Sequence, residues 1–277
     1  MTTTKSDLLD AEDARRISES IFALVGSARE LVGLASEAPP RPGSRAAAQF
    51  TDRANLVNGS TGDSAVAGVH DAIARVTIAA LEHADAFAEL TLRRRTFSAG
   101  VLARASVEAL GIAWHQLSAP DVRTMIERNI NVRLNELYFP AKHGARLEDG
   151  GGGAVPAAQV QKELRELRRS QGFTASRIQM SDLAADVIDR AMGGGGASHY
   201  SQLSTMAHAS LPMISIHMDS LGMHDSRAMH ITAAVDMVSP LVFVVGQIRE
   251  LFEIRSSTWA ETALHAIDVL TDLNGCL

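Results

Sequence analysis

The 277-residue sequence predicts an all-α fold, a single bundle of about eight to ten helices around a buried central helix at residues 97–117. Three observations carry this expectation. Apolar residues recur at three- and four-residue spacing in one segment after another. No stretch alternates with the period of two that a half-buried strand requires. Hydrophobic residues make up 46% of the chain and aromatic residues only 4%, so a sizeable core must be built from Ala, Leu, Val, Ile and Met, which let helices approach closely.

The elements follow in order. Ser6 or Asp7 can cap a first helix reaching Ala35, with Ile17, Ile21, Leu24, Val25, Ala28, Leu31 and Val32 on its core face. Residues 37–63 break the pattern with three prolines and an Asn-Gly turn, and are expected to be a loose loop or a lid. Ser64 starts a second long helix, which ends at Arg93, Arg94 and Arg95, where cations suit the helix dipole. After the central helix, Ser118 and Pro120 signal a restart, and Val122, Ile126, Ile130, Leu134 and Leu137 form the next buried face. Residues 145–156, with Gly150–Gly153, read as a flexible linker before a charged surface helix at Pro156–Gln171. Ser181 is expected to cap a short helix to Met192, and residues 193–198 read as a second linker. A short apolar helix after Pro212, a long helix from Asp225 to Ile254 kinked by Pro240, and a last helix near Thr258–Leu273 complete the chain.

Composition narrows the function. A net charge of −6 disfavours a broad nucleic-acid surface, although Arg165, Arg168, Arg169 and Arg177 form a local basic patch. The single cysteine, Cys276, rules out an intrachain disulfide and fits a reducing cytoplasm. The N-terminal residues lack the apolar core of a signal peptide. The longest uninterrupted apolar run, Leu241–Val245, is far shorter than the roughly 20 residues of a membrane span. A cytoplasmic protein with no membrane partner is the expectation.

The chemistry concentrates on two helical faces. On the central helix, Arg104, Glu108, Gly111 and His115 fall on one narrow stripe, and small or apolar residues occupy the rest of the circumference. Buried charges are costly unless paired, so this stripe calls for partners elsewhere in the chain. Tyr200, Ser204 and His208 recur at i, i+4 and i+8 and form a second polar stripe able to supply them. The expected site has Glu108 and His208 for acid–base work, Tyr200 and Ser204 to orient, and Arg104, His115 and His199 to hold a small anionic ligand.

The R-x-x-x-E of Arg104–Glu108, followed about ninety residues later by the Y-x-x-L-S-x-x-x-H of Tyr200–His208, resembles an uncharacterised family of bacterial all-helical proteins. Those proteins are discussed alongside HEPN-like helical bundles, which include toxin and defence ribonucleases. The resemblance spans residues 64–210 and implies an all-helical fold with an alternative function directed at nucleic acid. HEPN ribonucleases carry R-x4–6-H on one helix, and no Arg–His pair of this chain has that spacing. A non-catalytic helical interaction protein is the third reading.

No metal or cofactor is expected. His199, His208, His217, His224 and His230 crowd one region, but without H-x3-H, E-x-x-H or a Cys partner. Gly193–Gly196 lacks the strand before it and the Lys-Ser/Thr after it that a phosphate-binding loop needs. The six methionines between Met206 and Met237 read as adaptable core filler or as the lining of an apolar pocket.

Overall fold

Capping side chains set most of the helix starts. The computed structural model describes residues 8–37, 39–57, 64–148, 153–208 and 226–275. Helix α1 (Ala11–Glu37) begins where Asp10 accepts from the amide of Asp13 at 2.8 Å. The caps expected at Ser6 and Asp7 lie outside the described residues. Ser44 caps α2 (Arg45–Thr51) through the amide of Ala47, and a 3₁₀ turn follows at Arg53–Val57. The expected loop is therefore largely helical over its described part, because Ser44 precedes Arg45-Ala46-Ala47-Ala48, a run of good helix formers. Ser64 caps α3 (Ala65–Leu92) as the sequence implied. A tight turn with Arg94 in the left-handed region (φ 54°) then folds α4 (Thr96–Leu117) back onto α3.

Asp121 caps α5 (Val122–Glu136), and the short α6 (Tyr138–Lys142) continues from it. The stretch 145–156, expected to be a linker, holds two short strands in its described part. Strands β1 (Arg146–Glu148) and β2 (Ala154–Pro156) pair antiparallel, with Leu147 opposite Val155. Three residues each are too few to show alternation in a sequence. Helix α7 (Ala157–Ser170) follows, then α8 (Met180–Met192), whose N-cap is Gln179 and not Ser181. Gly193 and Gly195 both take positive φ in the turn to α9 (Gly196–Ala207), and the amide of Gly196 donates to Asp189 Oδ1 at 2.7 Å. This stretch is a tied turn. Ser226 caps α10 (Arg227–Phe252), which runs through Pro240 as one helix, and Ser256 caps α11 (Ser257–Asn274). The helix expected after Pro212 lies outside the described residues, as do His217 and His224.

Eleven α-helices are thus present among the described residues, slightly more than expected because α2 and α6 are short helices of seven and five residues. One apolar core joins Ile17, Leu24, Phe87, Leu110, Val187, Leu203 and Val244, contributed by α1, α3, α4, α8, α9 and α10. A second, small cluster of Leu137, Ala157 and Leu164 lies under α7. Small buried hydroxyls knit the tightest contacts: Ser106 Oγ donates to the Ala80 carbonyl (3.0 Å) between α4 and α3, and Ser18 Oγ to Ala88 (2.9 Å) between α1 and α3. Helix α10 is long and apolar enough to cross a membrane by length and composition, but its apolar faces pack on α1, α4, α8 and α11.

Candidate functional site

Helix α9 reaches α4 through close backbone approach. A Cβ on Gly100 would meet Met206 Cβ at 2.9 Å, so Gly100 lets α9 lie against α4. Gly111 does the same for α8, where a Cβ would stand 2.7 Å from the backbone carbon of Leu183. Gly196 in turn seats α9 on α8, beside the carbonyl of Ala185. With α9 so placed, its Tyr200 and His208 meet Arg104 and Glu108 on α4.

The four side chains form one chain of hydrogen bonds. Tyr200 donates its hydroxyl to Glu108 Oε1 at 2.6 Å, and Arg104 Nε donates to the same oxygen at 2.8 Å. Arg104 Nη1 reaches His208 Nε2 at 2.8 Å. A guanidinium only donates, so His208 accepts at Nε2 and carries its proton on Nδ1. The guanidinium also stands over the Tyr200 ring, 5.6 Å from the centroid. Burial opposes the charge on Arg104, but the Glu108 carboxylate outweighs it and holds the group above its ordinary range. Burial, reinforced by the Glu108 carboxylate, pushes the Tyr200 phenol up, which keeps it a donor.

The site is more open than an enclosing bundle would make it. Val101 is 46% exposed, and the side chains of Arg104 and Glu108 are 23% and 28% exposed, so one edge of the cluster faces solvent. His208 is exposed. The Ser204 hydroxyl lies on the same face of α9 and takes part in none of these bonds.

Two expected members belong elsewhere. His115, two turns beyond Glu108, stands near the end of α4, where its backbone carbonyl accepts from Arg128 Nη1 of α5 at 2.6 Å. Burial, with the nearby Arg128 charge adding and Asp186 opposing, pushes the His115 ring down to about 4, so it is neutral. Helix period placed it on the stripe, but the stripe spans two different neighbours. His199 turns to α10, where its Nδ1 meets Asp236 Oδ1 at 2.7 Å. Asp236 is fully buried and its Oδ2 has no partner among the described residues. Burial raises its carboxyl, and His199 pulls the other way. Sequence reasoning passed over Asp236, although the signal was there: it is the one acidic residue between Arg227 and Arg249 in an apolar helix.

Among the described residues no group of three or more His, Cys, Asp or Glu side chains is placed to hold a metal ion. A concavity of about 260 Å³ between α9 and α10 is lined by Met206, Met229, Gln202 and Thr232, and not by the Arg104–Glu108 cluster. Of the basic residues, Arg168 bonds Asn131 at 3.3 Å and Arg93 lies 3.9 Å from Glu89. No family model matches this chain, and neither a curated protein nor a solved structure does.

Proposed function

We propose that this protein binds a small anionic ligand at the α4–α9 seam, with Arg104 as the fixed positive charge. The observation that carries the reading is the split use of the Arg104 guanidinium. Two of its five N–H donors serve Glu108 and His208, which hold it in place, while the side chain keeps a solvent-facing edge. The exposed His208 offers a further donor at Nδ1, and Ser204 brings a hydroxyl on the same helical face. Donors of this kind, converging beside a permanent charge, suit a carboxylate or a phosphate. Glu108 takes two donors on one oxygen and therefore positions Arg104 and Tyr200. Proton transfer, where the reaction needs it, falls to His208.

Melting curves in phosphate, citrate and acetate, each matched to chloride for ionic strength, test the reading. One of these anions should raise the melting temperature of the wild type, since a ligand at a hundred times its Kd adds about 2.7 kcal/mol. Arg104→Gln should abolish the rise. Glu108→Gln keeps an acceptor for Arg104 and Tyr200, so it should stay folded with less than about 2 kcal/mol lost, yet respond more weakly to the anion. An equal response of wild type and Arg104→Gln to every anion would refute the site.

A further inference from the structure

A second cleft lies beside the first turns of α3. The end of α1, the segment after it, α2 and the end of α10 enclose a cleft of about 520 Å³. Its walls are Pro39, Pro40, Phe50 and Phe252, a dense aromatic and prolyl lining for a chain whose aromatic content is 4%. His70 of α3 stands in this lining with only 8% of its surface exposed. The edges of Phe50 and Phe252 flank its ring, with centroids 5.4 and 5.1 Å away.

The ring has one satisfied nitrogen and one orphan. His70 Nε2 meets the side-chain oxygen of Gln49 at 2.7 Å, so Nε2 carries the proton and donates. Nδ1 is left as a bare acceptor, sealed from solvent, with no partner among the described residues, so a donor in the cleft reaches it only as the flanking Phe50 or Phe252 ring moves aside. A buried acceptor without a donor is a standing cost, and native structures rarely leave one unfilled. At the rim stand the carboxylates of Glu37 and Asp71, and Asp71 is held by Arg75 at 2.7 Å.

We propose that this cleft is a binding site for a small aromatic alcohol or phenol whose hydroxyl donates to His70 Nδ1, and that a basic group on the ligand is met by Glu37. The apolar walls take the ring, the orphan nitrogen fixes its orientation, and the acidic rim selects the sign of any charged substituent. Burial holds His70 at a pKa of about 4, so the acceptor stays a lone pair at neutral pH and repels no donor. The site shares no residue with the Arg104–Glu108 cluster and stands whether or not that cluster binds an anion.

Three probes and three variants decide it. In calorimetric or ligand-observed resonance titrations, 4-methylphenol should bind about tenfold more tightly than toluene, the value of one hydrogen bond to a buried, otherwise unpaired group. Tyramine should bind more tightly than 4-methylphenol, and Glu37→Gln should remove that gain. His70→Phe should erase the preference for 4-methylphenol over toluene. Ala67→Phe should close the cleft from an exposed position of α3 and abolish binding of all three probes. Binding of none of them to the wild type, equal binding of 4-methylphenol and toluene, or binding that survives Ala67→Phe would each overturn the proposal.

Discussion

At the scale of single residues, the buried histidines make acid stability a readout of the fold. His70 is pushed from 6.5 to about 4 by burial alone, and His115 to a similar value by burial with Arg128 adding. Between those limits the unfolded chain binds protons that the folded chain refuses. Stability is therefore present above pH 6.5 and is lost as the pH falls towards 4. For His70 the loss between pH 7 and pH 4.5 is about 2 kcal/mol. Urea unfolding at the two pH values should show wild type losing about 2 kcal/mol more than His70→Gln. Equal losses would mean that the His70 ring is wetter than its surroundings imply. Asp236 acts in the opposite sense: burial raises its folded value, so its contribution is present at low pH and is lost as the pH rises. The residue scale is also where the sequence was least legible. Arg104, Glu108, Tyr200 and His208 were visible because i, i+4 spacing on a helix is local information. The pairing of His199 with Asp236, and the burial of the His115 ring near Arg128 and Asp186, depend on which helix lies opposite, and no spacing encodes that.

At the scale of elements, legibility was high wherever a long amphipathic helix carried its own cap. Ser64 and α3 show this, as do α1 and α5 in their buried faces. It was low for short pieces that borrow their stability from neighbours, namely α2, α6 and the β1–β2 pair. Glycines separate the two situations. In Gly111 the hydrogen in place of a Cβ lets α4 lie on the backbone of Leu183 and Ala184, which cannot move aside as a side chain could. Gly26, inside α1 and exposed, would present a Cβ to open space. Gly111→Ala should therefore cost about 1–3 kcal/mol or more, and should also weaken anion binding by shifting α8 and, through it, α9. Gly26→Ala should instead stabilise by about 0.4–1 kcal/mol, because a helix interior favours Ala over Gly. Thermal or urea melts of the two variants check the opposite signs. A neutral Gly111→Ala would show that α4 and α8 are not packed as closely as described.

At the scale of the whole molecule, the core is unevenly shared. Helix α4 packs against α3, α10, α8 and α9, so its amides are released only when most of the bundle opens. Residues 138–148 and 153–170 hang from the bundle differently. Helix α6, the two-stranded pair and α7 pack mainly on one another and on α5, over the small cluster of Leu137, Ala157 and Leu164. Apart from that cluster, α7 buries only Gln161 fully and rests Leu167, partly buried, on the main core, while Lys162–Glu166 and Gln159–Glu163 pairs lie on its surface. Exposed pairs of this type add only a few tenths of a kcal/mol each. Two buried leucines at about 1.5–3 kcal/mol each, with an alanine methyl at about 0.8 kcal/mol, are a thin reserve against the ordering of some thirty residues. The segment should therefore open as a unit while α4 stays closed. Hydrogen exchange followed by mass spectrometry should find peptides of 138–170 exchanging at least about a hundredfold faster than those of 99–117. Low concentrations of urea should hardly change the faster set, because little surface is exposed in the local opening, and should steeply accelerate the slower one. Leu164→Ala should speed exchange across 138–170 and leave α4 unaltered. If both regions instead exchange at one rate with one urea dependence, the small cluster is continuous with the main core and the chain unfolds as a single cooperative block.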